Sequence, residues 1–319
     1  MSLAAVILNY NDAQTTIDAA SRVGGFSCVD HVVIVDNAST DESAVRIAET
    51  FDLELSGLEQ TSPADDISGL WKSANEAGIA VTLIRTVRNG GYGYGNNLGV
   101  RYAYEQIHAS EVLIANPDAS ISEETVREMQ EVLKDDQDVA IVGAVMKDDG
   151  SSEISYAEFT AAGWCRRTLL KEVLHSGPLS KRIFRKQLEY SDNYYRDKDR
   201  IPVYAVHGSL LMVSAERFLS VGGYDTDMFL YMEEYVLGCR MGNSGWKTVL
   251  LPLHYQHSGS HSITGAGLDA VRRQQLRQRS ERIYYRKYLG AGPGSMALIR
   301  LFQWIVLAET WAAAGMHRL

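Results

Sequence analysis

The sequence predicts an α/β fold: a mostly parallel sheet flanked by helices, with a helical extension at the C-terminus. Along the first two-thirds of the chain, short apolar runs rich in Val and Ile alternate with helical patterns. The runs are continuously apolar, as strands buried on both faces should be. Hydrophobic residues make up 45% of the 319 residues and charged residues 22%, so the chain can bury a substantial core. Strands that alternate with helices indicate a parallel sheet.

The elements follow one another without an internal repeat. The predicted strands are Leu3–Leu8, His31–Asp36, Val81–Arg85, Val112–Ala115 and Ala140–Val145. The helical patterns between them cover Ala13–Arg22, Asp41–Thr50, Ile67–Ala77, Tyr94–Ile107 and Ser122–Lys134. Residues 52–69 are expected to form an inserted loop. Residues 151–202 look less regular, and their basic and aromatic side chains, such as Lys181 and Tyr190, suit either saccharide binding or an exposed charged loop.

Cysteine usage and the start of the chain indicate a reducing compartment. Cys28, Cys165 and Cys239 are odd in number, widely spaced and in no metal-binding pattern. The chain runs directly from Met1 into an apolar strand without a basic leader, so no secretory signal is expected. We therefore expect a cytoplasmic protein.

The charge is distributed unevenly. Residues 266–319 contain nine Lys and Arg against three acidic residues, a net +6, which leaves −15 on the rest of a chain whose total is −9. A basic tail favours an anionic partner, although a solvated helix face has the same composition. Nucleic acid is not expected, because the tail has no recognised binding motif and the acidic body would repel phosphates.

Polar residues follow three of the predicted strands. They are Asn9, Tyr10 and Asn11 after the first strand, Asp36 and Asn37 at the second, and Asn116 and Asp118 after the fourth. In an open α/β sheet, ligands bind in the crevice beyond the carboxyl ends of the strands, so these residues are candidates for a binding site. Each group alone could be a turn or a helix cap, because Asn and Asp are favoured there for conformational reasons.

A glycine-rich segment follows the third predicted strand. Its candidate ligand-binding residues are Asn89, Gly90, Gly91, Gly95, Asn96 and Asn97. Such a loop can bring backbone amides close to a diphosphate or a sugar, and the helix that follows presents its positive end. The spacing is a poor match to the dinucleotide-binding fingerprint. The alternative is a loop that only leads into the helix.

Two adjacent carboxylates, Glu233 and Glu234, stand at the start of a predicted helix. An aromatic and apolar run begins at Phe229, a Gly-Gly-Tyr-Asp turn precedes it at residues 222–225, and Arg240 follows the pair. This placement is typical of a catalytic base. Neighbouring carboxylates on one helix diverge, so the paired acids of a glycoside hydrolase are not expected here.

Together these motifs resemble the inverting family-two glycosyltransferases of the rhamnosyltransferase-like branch, which have the GT-A fold. The resemblance covers about residues 3–262. It implies a catalytic domain at residues 1–262, with a donor half at about 1–120 and an acceptor half at about 121–262. Residues 263–319 would then form the helical extension.

The resemblance also implies roles for the candidate residues. Asn9 and Asn11 would border the nucleotide and Asp36 would bind its pyrimidine ring. Asp118 would bind Mg²⁺ or Mn²⁺, with the late histidine His257 nearby and His254 and His261 as competitors, and residues 258–260 could face the phosphates. Glu234 would be the base. The chain departs from the family pattern at Asn116, where the family has Asp, and at Glu234, where it also has Asp, so Glu233 stays open as the base.

The implied function is transfer of a sugar, with inversion, from a UDP- or dTDP-sugar to a saccharide or lipid-linked saccharide acceptor in cell-surface polysaccharide synthesis. One alternative is a nucleotide-sugar-binding or scaffold protein that has lost turnover. Another is a sugar-phosphate nucleotidyltransferase, which would normally show a basic glycine-rich loop after its first strand.

The extension contains a basic helix at residues 272–287 and a largely apolar segment at residues 296–314. Arg300, Gln303 and Glu309 lie within the apolar segment, and charges near a bilayer centre are costly, so spanning is disfavoured. We expect either peripheral contact with the inner face of the cell membrane or a homodimer interface.

Overall fold

The computed structural model describes residues 2–56, 66–73, 79–147, 154–257 and 270–316. The strands are β1 (Leu3–Asn9), β2 (His31–Asp36), β3 (Leu53–Leu55), β4 (Ile67–Ser73), β5 (Val81–Thr86), β6 (Glu111–Ala115), β7 (Ala119–Ser120), β8 (Val139–Met146), β9 (Gly163–Trp164), β10 (Ile201–Val203), β11 (Ala205–Val206), β12 (Leu210–Ser214) and β13 (Lys247–His257). The helices are α1 (Ala13–Gly24), α2 (Ser43–Thr50), α3 (Tyr92–Glu105), α4 (Glu123–Asp135), α5 (Tyr156–Ala162), α6 (Leu169–Ser176), α7 (Pro178–Leu188), α8 (Asp192–Tyr195), α9 (Ala215–Ser220), α10 (Glu233–Asn243), α11 (Ala270–Lys287) and α12 (Pro293–Met316).

One large sheet organises the molecule, with the strand order β10-β13-β8-β12-β6-β1-β2-β5-β4-β3. Its centre is parallel, because β1 pairs in parallel with β2 and β6, and β2 with β5. The strand β12 runs antiparallel between β6 and β8. The parallel centre aligns the carboxyl ends of β1, β2 and β6 at one edge, which is where the sequence places its polar residues.

Helices cover both faces of this sheet, and an apolar core lies on each side. Val6, Val33 and Ile114 belong to one core and Ile7 and Ile34 to the other, and all are fully buried. Neighbouring residues of a strand point to opposite faces, so burial on both sides requires continuously apolar strands. All five predicted strands are confirmed.

The helix predicted over Ile67–Ala77 is wrong. Residues 67–73 form the strand β4, which pairs antiparallel with β5, and residues 74–77 lie outside the described residues. A short apolar run fits either structure, so periodicity does not decide between them. The neighbouring strand β5 favours a strand at residues 67–73, because pairing with β4 satisfies the backbone hydrogen-bonding groups at the otherwise free edge of β5. The same arrangement buries Ile67 and Leu70.

Two other regions are more regular than expected. The predicted loop at residues 52–69 contains β3, which pairs with β4, while residues 57–65 lie outside the described residues. The region 151–202 contains the helices α5, α6, α7 and α8, and α5 begins with a complete capping box between Ser155 and Glu158. Stacked and edge-on tyrosines 190, 194 and 195 pack this region.

The C-terminal extension packs on the predicted acceptor half through an apolar cluster. That cluster contains Val173, Met228, Tyr235, Val236, Tyr284, Tyr285, Ala291, Met296 and Ile299. The two helices of the extension also share buried hydrogen bonds: Gln278 donates to the Gln303 carbonyl at 2.8 Å, and Gln303 donates to Glu281 at 3.0 Å. The extension is therefore part of the same packed body.

Candidate active site

The carboxyl ends of β1 and β2 are joined by a buried hydrogen-bond network. The Asn9 side chain donates to the Asp36 carboxylate at 2.7 Å and accepts from Thr16 at 2.8 Å, and neither Asn9 nor Asp36 is exposed. Ser39 donates to the same carboxylate, and the Arg85 guanidinium lies 3.5 Å from it. The structure thus brings Asn9 and Asp36 together as predicted, and the Asn9 hydrogen bond helps to orient the Asp36 carboxylate.

The next predicted residues tie the neighbouring loops together. Asn11, at φ +54°, accepts a hydrogen bond from the Thr40 amide at 2.8 Å, and Tyr10 beside it is exposed. Asn37 donates to the Asn89 side chain at 3.0 Å and to the Gly91 carbonyl. Tyr10 and Asn11 are therefore the exposed side chains of this group.

The glycine-rich segment packs closely against its own protein. A Cβ on Gly91, whose φ is +89°, would lie 2.1 Å from the Phe229 carbonyl oxygen, and one on Gly95 would lie 2.2 Å from Leu8. Gly90 lies against the Tyr94 ring, and Asn96 donates to the Tyr92 carbonyl. These contacts give the segment a packing role, and contact with a donor stays a prediction.

Asn97 holds the turn that precedes the acidic motif. Its side chain accepts a hydrogen bond from the Tyr224 amide and donates one to the Tyr224 carbonyl, each at 2.9 Å. The Asn97 amide thus bonds to the Tyr224 backbone as a neighbouring strand would. This contact holds the turn in which Gly222 and Gly223 have positive φ. Gly93 and Gly91 let α3 approach this turn and the Phe229 backbone. The segment therefore connects the predicted donor half to the predicted base.

A cavity of about 480 Å³ brings several predicted residues together. Its lining includes Tyr92, Asn116, Met146, Trp164, Glu172, His175, Lys181, His207, Gly208, Ser209, Tyr231, Glu233, Glu234, His257, Arg277 and Glu281. Residues of the predicted donor, acceptor and extension segments thus share one space. A larger depression beside α4 and β13 includes His254 and lies apart from the acidic motif.

Asp118 and His257 face each other at the end of β6 and β13. Their Oδ1 and Nε2 atoms lie 3.1 Å apart, and both side chains are largely buried. Carboxylate oxygen and imidazole nitrogen are suitable ligands for Mn²⁺, and carboxylate oxygen for Mg²⁺. In the described residues, no group of three or more His, Cys, Asp or Glu side chains is arranged to hold a metal. The pair fits an ion whose other ligands are phosphate and water oxygens. His261 and residues 258–260 lie outside the described residues.

His207 is a cavity residue that the motifs did not indicate. Its ring lies 6.1 Å from that of His257 and 6.0 Å from Trp164, and its Nδ1 is 2.8 Å from the Ser209 hydroxyl. Burial lowers the pKa of His207 to about 4, so it is neutral at pH 7. The only signal in the sequence is a polar interruption, His207 to Ser209, between apolar residues of β11 and β12.

Glu233 and Glu234 occupy the first turn of α10, as predicted, but their environments differ. Glu233 is buried, and its Oε1 has no hydrogen-bond partner among the described residues. Glu234 accepts a hydrogen bond from the Gly208 amide at 3.1 Å, and a Cβ on Gly208 would come within 2.3 Å of the same oxygen. Any larger residue at position 208 would therefore force the Glu234 carboxylate to shift from this position.

Burial raises the pKa of both carboxyls. At Glu233 the charge of Glu234 raises the pKa further, whereas at Glu234 the Gly208 hydrogen bond and the positive charge of Arg277 oppose the rise. The pKa of Glu233 is therefore raised by burial and by the charge of Glu234 together, whereas the rise at Glu234 is opposed, so Glu234 is the carboxyl of the pair that gives up its proton more readily.

The backbone before the pair is strained and is fixed by the extension. Tyr231 and Met232 have φ of +73° and +72°, a conformation that costs a non-glycine residue of order 1 kcal/mol or more. Ser280 of α11 donates a hydrogen bond to the Leu230 carbonyl at 2.7 Å, and the Arg277 guanidinium lies 4.8 Å from the Tyr231 ring centre. The helix α11 therefore supports the segment that aims Glu234 into the cavity.

We expect Glu233→Gln to stabilise the protein. The folded state holds this carboxyl protonated while the unfolded state ionises it above its ordinary pKa of 4.5, so the wild type loses stability as pH rises through and above that value. A neutral amide removes this cost, which grows by about 1.4 kcal/mol for every tenfold difference in proton affinity between the folded and unfolded carboxyl. Thermal unfolding should show a higher Tm for the variant at pH 8 and a smaller difference at pH 4. A Tm difference that does not grow with pH would contradict the assignment.

Named relatives support the resemblance to glycosyltransferases. The chain is 24% identical over 232 residues to a low-salt glycan biosynthesis hexosyltransferase of Haloferax volcanii, a match that covers 73% of this chain and 59% of the relative. It is 27% identical over 199 residues to an N-acetylglucosaminyl-diphospho-decaprenol L-rhamnosyltransferase of Mycobacterium tuberculosis, covering 57% of this chain and 60% of the relative. The chain thus spans about three-fifths of the length of these relatives. No protein-family model matches it.

Solved structures confirm the fold. A mannosyltransferase from Pyrobaculum calidifontis, in complex with GDP-Man and Mn²⁺, superposes with a TM-score of 0.54 and 17% identity over 98% of this chain and 75% of its own. GalNAc-T7, with UDP, GalNAc and Mn²⁺, superposes with a TM-score of 0.56 and 13% identity over 81% of this chain and 44% of its own. The predicted GT-A fold is confirmed, and the chain resembles the rhamnosyltransferase-like family-two glycosyltransferases.

Proposed function

We propose that the protein is an inverting glycosyltransferase that moves a sugar from a UDP- or dTDP-sugar to a saccharide or lipid-linked saccharide acceptor in cell-surface polysaccharide synthesis. The observation that carries the proposal is the shared cavity, which is lined by Glu234 and by His257, the contact partner of Asp118, within a GT-A fold. The relatives, named as hexosyl- and rhamnosyltransferases of glycan synthesis, support it.

In this proposal Glu234 is the general base. An acceptor hydroxyl gives its proton to Glu234 as its oxygen attacks the anomeric carbon of the donor. The bond from that carbon to the diphosphate breaks on the opposite face, so the configuration inverts in one displacement. A positioned base contributes roughly 10²–10⁴ in rate. Burial raises the pKa of Glu234, and the Gly208 hydrogen bond and the charge of Arg277 oppose that rise and so favour the ionised form that this step requires.

Asp118 and His257 would hold Mg²⁺ or Mn²⁺, and the two solved GT-A structures that contain Mn²⁺ support this assignment. The ion supplies charge neutralisation for the leaving diphosphate. Two protein ligands leave most coordination positions to donor phosphates and water, so metal affinity without donor should be low.

A nucleotide-sugar-binding protein without turnover is the competing function. It is favoured by the two departures from the family pattern, Asn116 and Glu234. The structure weakens the argument from Glu234. Its side chain is one methylene longer than the family's Asp, yet its carboxylate is held in the cavity by a hydrogen bond from the Gly208 amide at 3.1 Å. Donor binding without transfer or donor hydrolysis on any acceptor would favour the binding protein.

A panel of nucleoside diphosphates and their sugars, measured by thermal shift with and without Mn²⁺, tests the donor class. We expect UDP or dTDP compounds to raise Tm only when Mn²⁺ is present. A ligand at a hundred times its dissociation constant stabilises the folded state by about 2.7 kcal/mol, which such a measurement detects. Stabilisation by purine nucleotides alone would contradict the pyrimidine assignment, and so would stabilisation that ignores Mn²⁺.

We also propose that α12 contacts the inner face of the cell membrane. Within the described residues, one helix is long and apolar enough to cross a bilayer, Pro293–Ala313. One face of α12 packs against α11, to which the buried Gln303 is hydrogen-bonded. The opposite face exposes Leu298, Leu301, Trp304, Ile305 and Trp311. An exposed apolar face beside the basic α11 suits a helix that lies on an anionic surface. A homodimer through the same face is the alternative.

Flotation with anionic liposomes tests membrane contact. We expect salt-sensitive binding of the full chain to the liposomes. Binding should fall at least about tenfold when Leu301 and Trp304 are both replaced by Gln, because these side chains bury apolar area in the membrane surface. Val45→Gln, an exposed apolar residue on α2, is the matched control and should bind as wild type. Absence of flotation, together with a dimer that the double variant dissociates, would establish the dimer interface instead.

A further inference from the structure

The helices α6 and α7 expose several large apolar side chains. Leu170 of α6 and Leu179, Ile183 and Phe184 of α7 are between 40% and 69% exposed. A single exposed apolar side chain is common on a protein surface, but a group of them within residues 170–184 indicates a surface that contacts something other than water. These two helices are therefore candidates for an interaction surface.

One face of α7 combines apolar and basic side chains. Leu179, Arg182, Ile183 and Lys186 occupy positions i, i+3, i+4 and i+7, so they lie on one side of the helix, which we call the outer face of α7. All four side chains are exposed, whereas Leu188 on the opposite side is buried. Apolar side chains flanked by Lys and Arg are typical of a helix that lies in the surface of a membrane.

The charge of α6 and α7 is positive, although the body of the chain is acidic. Residues 169–188 contain five Lys and Arg and one Glu, which is buried, whereas residues 1–265 as a whole carry a net charge of −15. Lys181 and Arg185 pair with Glu189. Among the described residues, Arg182 and Lys186 have no ion-pair partner. The outer face of α7 therefore presents two unpaired cations to an anionic partner.

The outer face of α7 lies next to the exposed apolar face of α12. Gly177 joins α6 to α7, and a Cβ on this residue would lie 2.9 Å from Phe302 of α12. Leu179 follows Gly177 by two residues, and Leu298 and Ile305 lie one turn from Phe302 along α12. Both sets of exposed apolar side chains thus flank the same contact, so one surface can meet both.

A lipid surface fits the outer face of α7 better than a second copy of the chain does. In a two-fold dimer the same patch contacts itself, so Arg182 and Lys186 would lie near their own copies. Like charges that face each other across an interface are unfavourable. Anionic lipid headgroups instead neutralise these cations, while the region below them accepts Leu179 and Ile183. The charge of this face therefore favours an anionic bilayer.

We propose that α7 is a second membrane-binding element, which inserts Leu179 and Ile183 into the surface of an anionic bilayer while Arg182 and Lys186 contact lipid phosphates. The inference rests on the proposed membrane contact of α12 and extends it to a region whose sequence suits either saccharide binding or an exposed charged loop.

Contact through both helices would orient the cavity. His175 and Ser176, at the end of α6, line the cavity that contains Glu234. Contact through α12 alone leaves the protein free to rotate about that helix, whereas a second contact through α7 fixes the rotation. The edge of the cavity formed by α6 then lies close to the bilayer.

Flotation of the full chain with liposomes tests the second element. With vesicles of phosphatidylcholine and phosphatidylglycerol, binding should fall at least about tenfold when Leu179 and Ile183 are both replaced by Gln, because the variant buries less apolar area in the membrane. Replacing Arg182 and Lys186 by Gln should lower binding to these vesicles at least about fivefold, because each cation near an anionic surface contributes to binding. Binding to vesicles of phosphatidylcholine alone should not change in this second variant.

Matched variants elsewhere on the surface are the controls. Val45→Gln with Leu55→Gln removes two exposed apolar side chains, and Arg46→Gln with Lys134→Gln removes two exposed cations, so both double variants should float as wild type. The outer face of α7 does not line the cavity that contains Glu234. Both α7 variants should therefore transfer sugar to a water-soluble acceptor within about twofold of the wild-type kcat/KM. Absence of transfer by the wild type would contradict the proposed enzyme and not the flotation result.

A fluorescent label reports the contact directly. Ile183→Cys carrying the environment-sensitive dye NBD should give brighter, blue-shifted emission with the anionic vesicles, and labelled Val45→Cys should not. The labelled wild type gives the background from the native cysteines.

Two outcomes would overturn the inference. If the α7 variants float as wild type and the label at position 183 does not respond, while the Leu301 and Trp304 double variant fails to float, α12 binds the membrane alone. If the wild type does not float and the α7 variants dissociate a dimer, this face is a dimer interface, and the membrane contact of α12 is wrong as well.

Discussion

Glu234→Gln is expected to lower turnover at least about a hundredfold while donor affinity stays within about twofold of the wild type. Glutamine keeps an oxygen to accept the Gly208 hydrogen bond but cannot take a proton from an acceptor hydroxyl. The loss should therefore appear in kcat and not in donor binding. Steady-state transfer kinetics and donor titration measure the two separately.

The pH profile and the neighbouring residue are the controls. Because the pKa of Glu234 is raised, kcat/KM of the wild type should fall as pH decreases through a value above 4.5, and the residual activity of the variant should lack this limb. Glu233→Gln should keep activity within about threefold, since burial and the charge of Glu234 raise the pKa of Glu233 and favour its neutral form. If Glu233→Gln is inactive and Glu234→Gln is nearly normal, the base is Glu233 and not Glu234.

Asp118→Ala is expected to abolish the gain in donor affinity that Mn²⁺ provides, while the protein stays folded. The carboxylate is the anionic member of the Asp118–His257 pair, and a neutral side chain leaves the ion with one weak protein ligand. Isothermal titration of the donor with and without Mn²⁺ measures the effect, and circular dichroism checks the fold.

Glu124→Gln is a matched loss of one negative charge on α4, outside the cavity, and should keep the full Mn²⁺ effect. His257→Ala should weaken the Mn²⁺ effect less than Asp118→Ala, because imidazole contributes no charge to the ion when neutral. Mn²⁺-dependent donor affinity that is unchanged in Asp118→Ala would remove this residue from the site.

The sequence alone was sufficient for the parallel centre of the sheet and for the start of α10. The five continuously apolar runs are strands, because a strand covered by helices on both faces must be apolar at every position. This pattern can be recognised from each run by itself. The same holds for the polar residues at strand ends, which follow from where each run stops. Asn9 and Asp36 thus lie together because their strands pair in register, Asn9 beside Asp36.

The purpose of the glycine-rich segment could not be determined from its composition. Glycines that approach a phosphate and glycines that approach a neighbouring backbone look alike in a sequence. The structure places Gly91 against the Phe229 carbonyl and Asn97 on the Tyr224 backbone, about 130 residues further along the chain. Only the tertiary contact distinguishes the two roles.

What the sequence determined by itself was therefore the fold class, the strand ends and the acidic pair, because each depends on residues close together in the chain. The tertiary structure alone decided that residues 67–73 form a strand, that Gly208 reaches Glu234 across 26 residues, and that Ser280 holds Leu230 across 50. The physical reason is that such contacts depend on the edges and surfaces that other elements present, and a local pattern carries no record of them.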